Sequence, residues 1–94
     1  MSSVFKALSD PTRRRVLQLL RKGPMSAGEL ADHFDVSKPT MSAHFAVLKE
    51  ADLVRSRRAG QQIYYSLNTT VVQDVLARIW DLFGAGGPQG EEAP

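Results

Sequence analysis

Ninety-four residues suffice for one small domain, and the roughly forty apolar ones include ten alanines, a thin core for a lone monomer. The chain has no cysteine, which excludes disulfides, thiolate metal sites, thiol catalysis and cysteine redox sensing. Its net charge of +2 divides into +5 over residues 1–60 and −3 over residues 61–94, a basic body with an acidic end that suits a polyanionic partner. The N-terminus lacks the apolar centre of a signal peptide, and no run approaches the ~20 apolar residues of a membrane span. Cytoplasmic residence without membrane insertion is the expectation.

Val4, Phe5 and Leu8 share one face of a short first helix, which Asp10-Pro11 interrupts and restarts, a capping side chain followed by proline at the first helical position. The second helix buries Val16, Leu17, Leu19 and Leu20 and stops at Gly23-Pro24. Ser26-Ala27-Gly28-Glu29 has capping-box spacing and predicts a third helix from about Ala27 to Phe34. Asp35-Val36-Ser37 is a tight connection, and Ser37 caps a fourth helix that runs to roughly Ala51 with Met41, Phe45 and Leu48 on its buried side. Two helices joined so closely form a helix-turn-helix candidate.

Beyond Asp52, the segments Leu53–Arg57 and Gln61–Leu67 alternate in polarity around Arg58-Ala59-Gly60, which predicts a β-hairpin wing. Asn68-Thr69-Thr70 offers caps for a last helix over about Val71–Phe83, ended by Gly84. The expected fold is therefore mainly α with a β-hairpin wing (α+β), a winged helix-turn-helix of order α-α-α-α-β-β-α. Residues 1–83 make up the domain, and the Gly/Pro/Glu-rich residues 84–94 a disordered tail.

At this point the residues themselves resemble the ArsR/SmtB family of bacterial repressors. The segments that carry the resemblance are Phe5-Lys6-Ala7-Leu8-Ser9-Asp10-Pro11-Thr12-Arg13-Arg14, then Ser37-Lys38-Pro39-Thr40-Met41-Ser42-Ala43-His44-Phe45 leading to Leu48-Lys49, and Gly60-Gln61-Gln62-Ile63-Tyr64-Tyr65-Ser66-Leu67. The stretch Gly60–Asp74 is similar to a cysteine-free, SdpR-like autorepressor subgroup. The resemblance implies a homodimeric repressor of an inverted-repeat operator in double-stranded DNA. It also implies control of its own operon, relieved by a protein antirepressor instead of a metal.

Read by angle alone, the fourth helix turns Pro39, Ala43, Ala46, Val47 and Glu50 away from its buried side, with Thr40 and Ser42 on the shoulders. A face of small residues lets a backbone approach closely in a major groove. There Ala43, Ala46 and Val47 meet thymine methyl groups, and Thr40 and Ser42 hydrogen-bond base edges or phosphates. The expected DNA contacts are Ser37, Lys38, Pro39, Thr40, Ser42, Ala43, His44, Val47 and Lys49, with Arg55, Arg57, Arg58 and Gln61 from the wing. The competing reading is a winged-helix interaction module without DNA binding, supported only by the small, partly apolar outer face. For Arg13-Arg14-Arg15, cations in a first helical turn that oppose the helix dipole, Asp10 and DNA are equally good partners.

His33 and His44 have no second ligand at metal spacing, and where family metal sites use histidine and acid pairs the last helix offers only Asp74 and Asp81. No metal, cofactor or enzyme activity is expected. Ser42 and His44 are two apart on a helix and do not face each other, and no third group orients a base. The apolar residues of the last helix span about 180° of arc, beyond the ~100° needed to face one core, which asks for a second copy of the chain. The expected dimer seam comprises Val4, Phe5, Leu8, Val72, Leu76, Ile79, Trp80 and Phe83.

Overall fold

A computed structural model of the chain describes residues 2–84, so the expected tail, Gly84 apart, lies outside the described residues. The elements are α1 (Ser2–Leu8), α2 (Pro11–Leu19), a 3₁₀ turn (Leu20–Lys22), β1 (Met25–Ser26), α3 (Ala27–Ala31), α4 (Lys38–Glu50), β2 (Val54–Ala59), β3 (Gln62–Leu67) and α5 (Thr69–Leu82).

Helix starts sit where local chemistry places them. Asp10 Oδ2 accepts the N–H of Thr12 at 2.8 Å and of Arg13 at 3.2 Å, with Pro11 at a position that needs no N–H donor. Ser26 Oγ accepts from Glu29 N at 3.0 Å while Glu29 Oε1 accepts from Ser26 N at 2.8 Å, a complete capping box. Ser37 Oγ accepts from Thr40 N at 3.3 Å and opens α4.

Several ends differ from expectation. The third helix stops at Ala31, not Phe34, because the N–H groups of His33 and Phe34 bond back to Leu30 and Ala31, and this tighter turning brings the chain round to the cap of α4. The last turn of the second helix tightens in the same way into the 3₁₀ segment before Gly23. At the end of α4, Asp52 takes a left-handed φ of 60°, its N–H bonds to Lys49 O, and Leu53 N–H bonds to Leu48 O. That is a Schellman closure with aspartate in glycine's usual place, and it buries Leu53 against Leu48.

The hairpin becomes one part of a three-stranded antiparallel sheet of order β1-β3-β2. Met25 pairs with Tyr65 and Ser26 with Tyr64, so Ser26 ends a strand and caps a helix at once. The wing's turn lies at Gly60-Gln61, not Arg58-Ala59-Gly60, since Ala59 pairs with Gln62. Of those two residues only Gly60 has positive φ, 63°, the type II′ pattern that suits the twist of a two-residue hairpin.

The core gathers Ala7 and Val4 of α1, Val16 of α2, Leu30 of α3, Met41, Phe45 and Leu48 of α4, and Leu53 and Val54 leading into the wing. Phe45 stacks on Tyr65 of β3 with ring centroids 4.6 Å apart, which ties helix to sheet, and burial pushes the Tyr65 phenol above its ordinary pKa. From α5 only Val75 is fully buried, with Val71, Val72 and Ile79 half-buried beside it. No described helix is long and apolar enough to cross a membrane.

Candidate nucleic-acid interface

The buried stripe of α4 leaves Lys38, Pro39, Thr40, Ser42, Ala43, Ala46, Lys49 and Glu50 exposed on one open surface. Ser37 Oγ donates to Thr40 Oγ1 at 2.9 Å, which leaves the Thr40 hydroxyl proton free to point outward. Two expected contacts sit differently. Val47 is half-buried and packs against the core, so its methyls are only partly on offer. His44 is turned inward, and its Nδ1 accepts from Arg13 Nη1 at 3.0 Å.

Strand geometry sorts the wing arginines. Arg55 and Arg57 are two apart and share a face, whereas Arg58 lies on the opposite one with Ile63 across from it. All three are exposed, as is Gln61 in the turn. The Arg57 guanidinium lies over the ring of its cross-strand partner Tyr64, 5.9 Å from the centroid, an attraction of about 0.5–1 kcal/mol that holds the cation up from the sheet. Tyr64, not among the expected contacts, joins the candidate interface by lying beneath Arg57. An aromatic directly across from an arginine is visible only once the hairpin is in register.

In the basic run at the start of α2, Arg13 and Arg14 are held by backbone carbonyls and Arg15 by the Gln18 side chain, with no direct hydrogen bond to an acidic side chain among the described residues. Arg13 Nε donates to Ala7 O at 2.9 Å and its Nη2 to Lys6 O at 2.8 Å, while Arg14 Nη1 donates to Leu8 O at 2.9 Å. These carbonyls lie in the last turn of α1, at its negative end, where Lys6 O also accepts from Ser9 N and Oγ, so the two arginines help to cap that helix. Asp10 serves the N–H groups instead. Its partial burial would raise its pKa, but those two N–H bonds, with His44 and Arg13 nearby, outweigh this and hold the carboxyl below its ordinary value. What Asp10 adds to stability is therefore complete above the usual carboxylate range and is lost only as pH falls through the depressed value.

α5 exposes Leu76 (61%), Trp80 (40%) and Leu82 (71%), its C-cap Phe83 is 78% exposed, and Phe5 of α1 is 47% exposed. An apolar groove of about 240 Å³, lined by Leu8, Leu17, Leu53, Val72, Leu76 and Ile79 among others, opens beside them. Val4, expected at a seam, is 7% exposed and belongs to the protomer's own core, because α1 packs onto α4 through that side. Among the described residues no three His, Cys, Asp or Glu side chains come together as metal ligands would.

A helix-turn-helix domain model matches residues 8–57. The transcriptional repressor SdpR of Bacillus subtilis is 58% identical over 76 residues, 81% of this chain and 84% of its own. The arsenical resistance operon repressor of Staphylococcus aureus is 35% identical over 84% of this chain and 76% of its own. Among solved structures, an ArsR-like transcriptional regulator from Rhodococcus sp. RHA1 superposes with a TM-score of 0.75 at 34% identity, covering 89% of this chain and 78% of its own.

Proposed function

Because the chain belongs to the ArsR family of helix-turn-helix transcriptional repressors, which are DNA-binding regulators and not enzymes, we propose that it works as a cytoplasmic homodimer on an inverted-repeat operator. The observation that carries this reading is the open face of α4 between Lys38 and Lys49, continued by the exposed arginines of the wing. Such a surface fits B-DNA with α4 in the major groove, Thr40 and Ser42 at base edges or phosphates, and Ala43 and Ala46 against thymine methyls. Lys38, Lys49, Arg55, Arg57 and Arg58 neutralise phosphates on either side.

The seam of the dimer is the outer face of α5 with Phe5 and Leu8 of α1. Phe5, Leu76, Trp80, Leu82 and Phe83 lie open in one protomer, and a two-fold partner covers them and the adjoining groove. Similarity to a transcriptional repressor supports repression, and control of the protein's own operon is what the resemblance to the autorepressor subgroup implies. With no cysteine in the chain, release from DNA falls to something other than a thiol-bound metal, and a protein antirepressor is the partner we favour.

The wing supplies the test. Arg57→Ala should weaken binding to operator and random duplex alike and flatten the dependence of log affinity on log salt, each lost phosphate contact removing about 0.9 from the slope. Tyr64→Ala should follow it in part, having left the guanidinium unsupported. Fluorescence anisotropy over a salt series, on fragments that copurify with the protein and on random duplex, measures both. An unchanged slope in Arg57→Ala would remove the wing from the phosphate contacts.

A further inference from the structure

Arg13 and His44 connect the two halves of the function just proposed, the seam on α1 and the reading face on α4. The guanidinium is held in three directions, by Ala7 O at 2.9 Å, Lys6 O at 2.8 Å and His44 Nδ1 at 3.0 Å. The bond to His44 spans 31 positions of sequence, from α2 to α4. Arginine can only donate and does not give up its proton, so Nδ1 must be the bare, accepting nitrogen and the neutral ring carries its proton on Nε2. His44 follows Ala43 directly, so whatever fixes the imidazole also fixes how far the reading face is rotated about the axis of α4.

We propose that Arg13 and His44 form a positioning clamp that sets the recognition helix relative to the dimer seam, closed when His44 is neutral and opened when it takes up a proton. The inference rests on the operator reading above. A protonated imidazole donates from both nitrogens, so Nδ1–H would meet the Nη1 donor of a second cation and the bond would become a repulsion.

The charged groups that face the ring are Arg13 from α2 and Asp10 from the junction of α1 and α2, whose Oδ2 lies 3.9 Å from Nε2. From α1 the clamp meets carbonyls, and the Lys6 side chain is exposed. Within a turn on α4 the neighbours Thr40, Met41, Val47 and Leu48 are uncharged. Asp10 does favour the protonated ring, but its Oδ2 already receives two backbone N–H bonds, and a ring that swung toward it would still abandon Arg13. Either way the guanidinium lets go of α4. The His44 side chain is 15% exposed, too little for water to replace the lost partner freely. Asp10 stays ionised throughout the range in which an imidazole titrates, so a transition there cannot be its own.

The test uses the full chain and two replacements. His44→Asn puts an amide oxygen near the place of Nδ1 and cannot titrate, whereas His44→Ala removes the acceptor. Operator affinity is measured by anisotropy from about pH 8 to about pH 5.5, with a thermal melt at each pH, since histidine changes charge in that window. Wild type should lose affinity roughly tenfold on acidification beyond what His44→Asn loses, the scale of one charged hydrogen bond. His44→Ala should be weaker by about the same factor at both ends, and His44→Asn should recover most of that loss, keeping only the pH dependence that all three forms share. His33 is common to all three and cancels in the comparison. Nitrogen NMR of the histidine rings, without DNA, should find Nδ1 of His44 unprotonated in the neutral ring.

A His44→Asn profile like that of wild type, wild-type affinity in His44→Ala, or a proton on Nδ1 of the neutral ring would each overturn the clamp. Failure of every form to bind any inverted repeat, with the NMR result intact, would instead strike at the operator reading.

Discussion

Leu76→Glu should give a folded monomer that no longer holds its operator. Leu76 is 61% exposed in the protomer, so a carboxylate there costs the isolated fold little, within about 0.5 kcal/mol for an ordinary surface change. At a two-fold seam the same side chain is covered by the partner's apolar surface, and burying an unpaired charge costs several kcal/mol. The dimer should therefore separate into a chain that still melts cooperatively, its melt lower only by the stabilisation that association itself adds. Two joined recognition helices bind more tightly than one by about 10²–10⁴, and the variant should lose operator affinity on that scale. Ile79→Asp is a poorer probe, since Ile79 is half-buried against the protomer's own core and its loss would unfold as well as dissociate. Sedimentation velocity beside an anisotropy titration reads both effects. A folded, dimeric Leu76→Glu protein with normal affinity would put the seam elsewhere.

Ala43→Glu should do the reverse, leaving the dimer intact and removing DNA binding. Ala43 is exposed in the second turn of α4 and glutamate is a good helix former, so neither fold nor seam has reason to change. In the major groove its carboxylate would face base acceptors between two phosphate backbones, and like-charge juxtaposition at an interface costs several kcal/mol, on the order of 10²–10³ in affinity. Ala43→Ser, which keeps the size, should instead change which operators are preferred. An Ala43→Glu dimer that still binds would mean that another face of the protein meets DNA.

What the sequence made legible was whatever rests on neighbouring residues. Asp10-Pro11, Ser26 to Glu29 and Ser37 before Pro39 announce their caps because a capping side chain bonds to N–H groups two or three residues on. Contacts between distant segments were not legible. The strand at Met25-Ser26 is too short for any periodicity and exists because Tyr64 and Tyr65, some forty positions away, lie alongside it. Val4 was misplaced because a helical stripe gives the direction of a face and not what covers it, and α4 covers this one. In the site, the three clustered arginines of the wing prove to be divided between two faces, a consequence of strand alternation. His44 looked like a DNA contact until Arg13 came to it from another helix.

In the proposed complex a two-fold dimer presents its two α4 helices to one side of B-DNA. That requires half-sites about one helical turn, ~10 bp, apart. The direct measurement is the affinity of the wild-type protein for its inverted repeat before and after five base pairs are inserted between the half-sites, at constant salt. The insertion turns one half-site by about half a turn and moves it ~17 Å along the axis, beyond the reach of a rigid dimer. Affinity should fall by about 10²–10⁴, to that of a single half-site. Undiminished binding to the lengthened site would contradict the dimeric docking of α4.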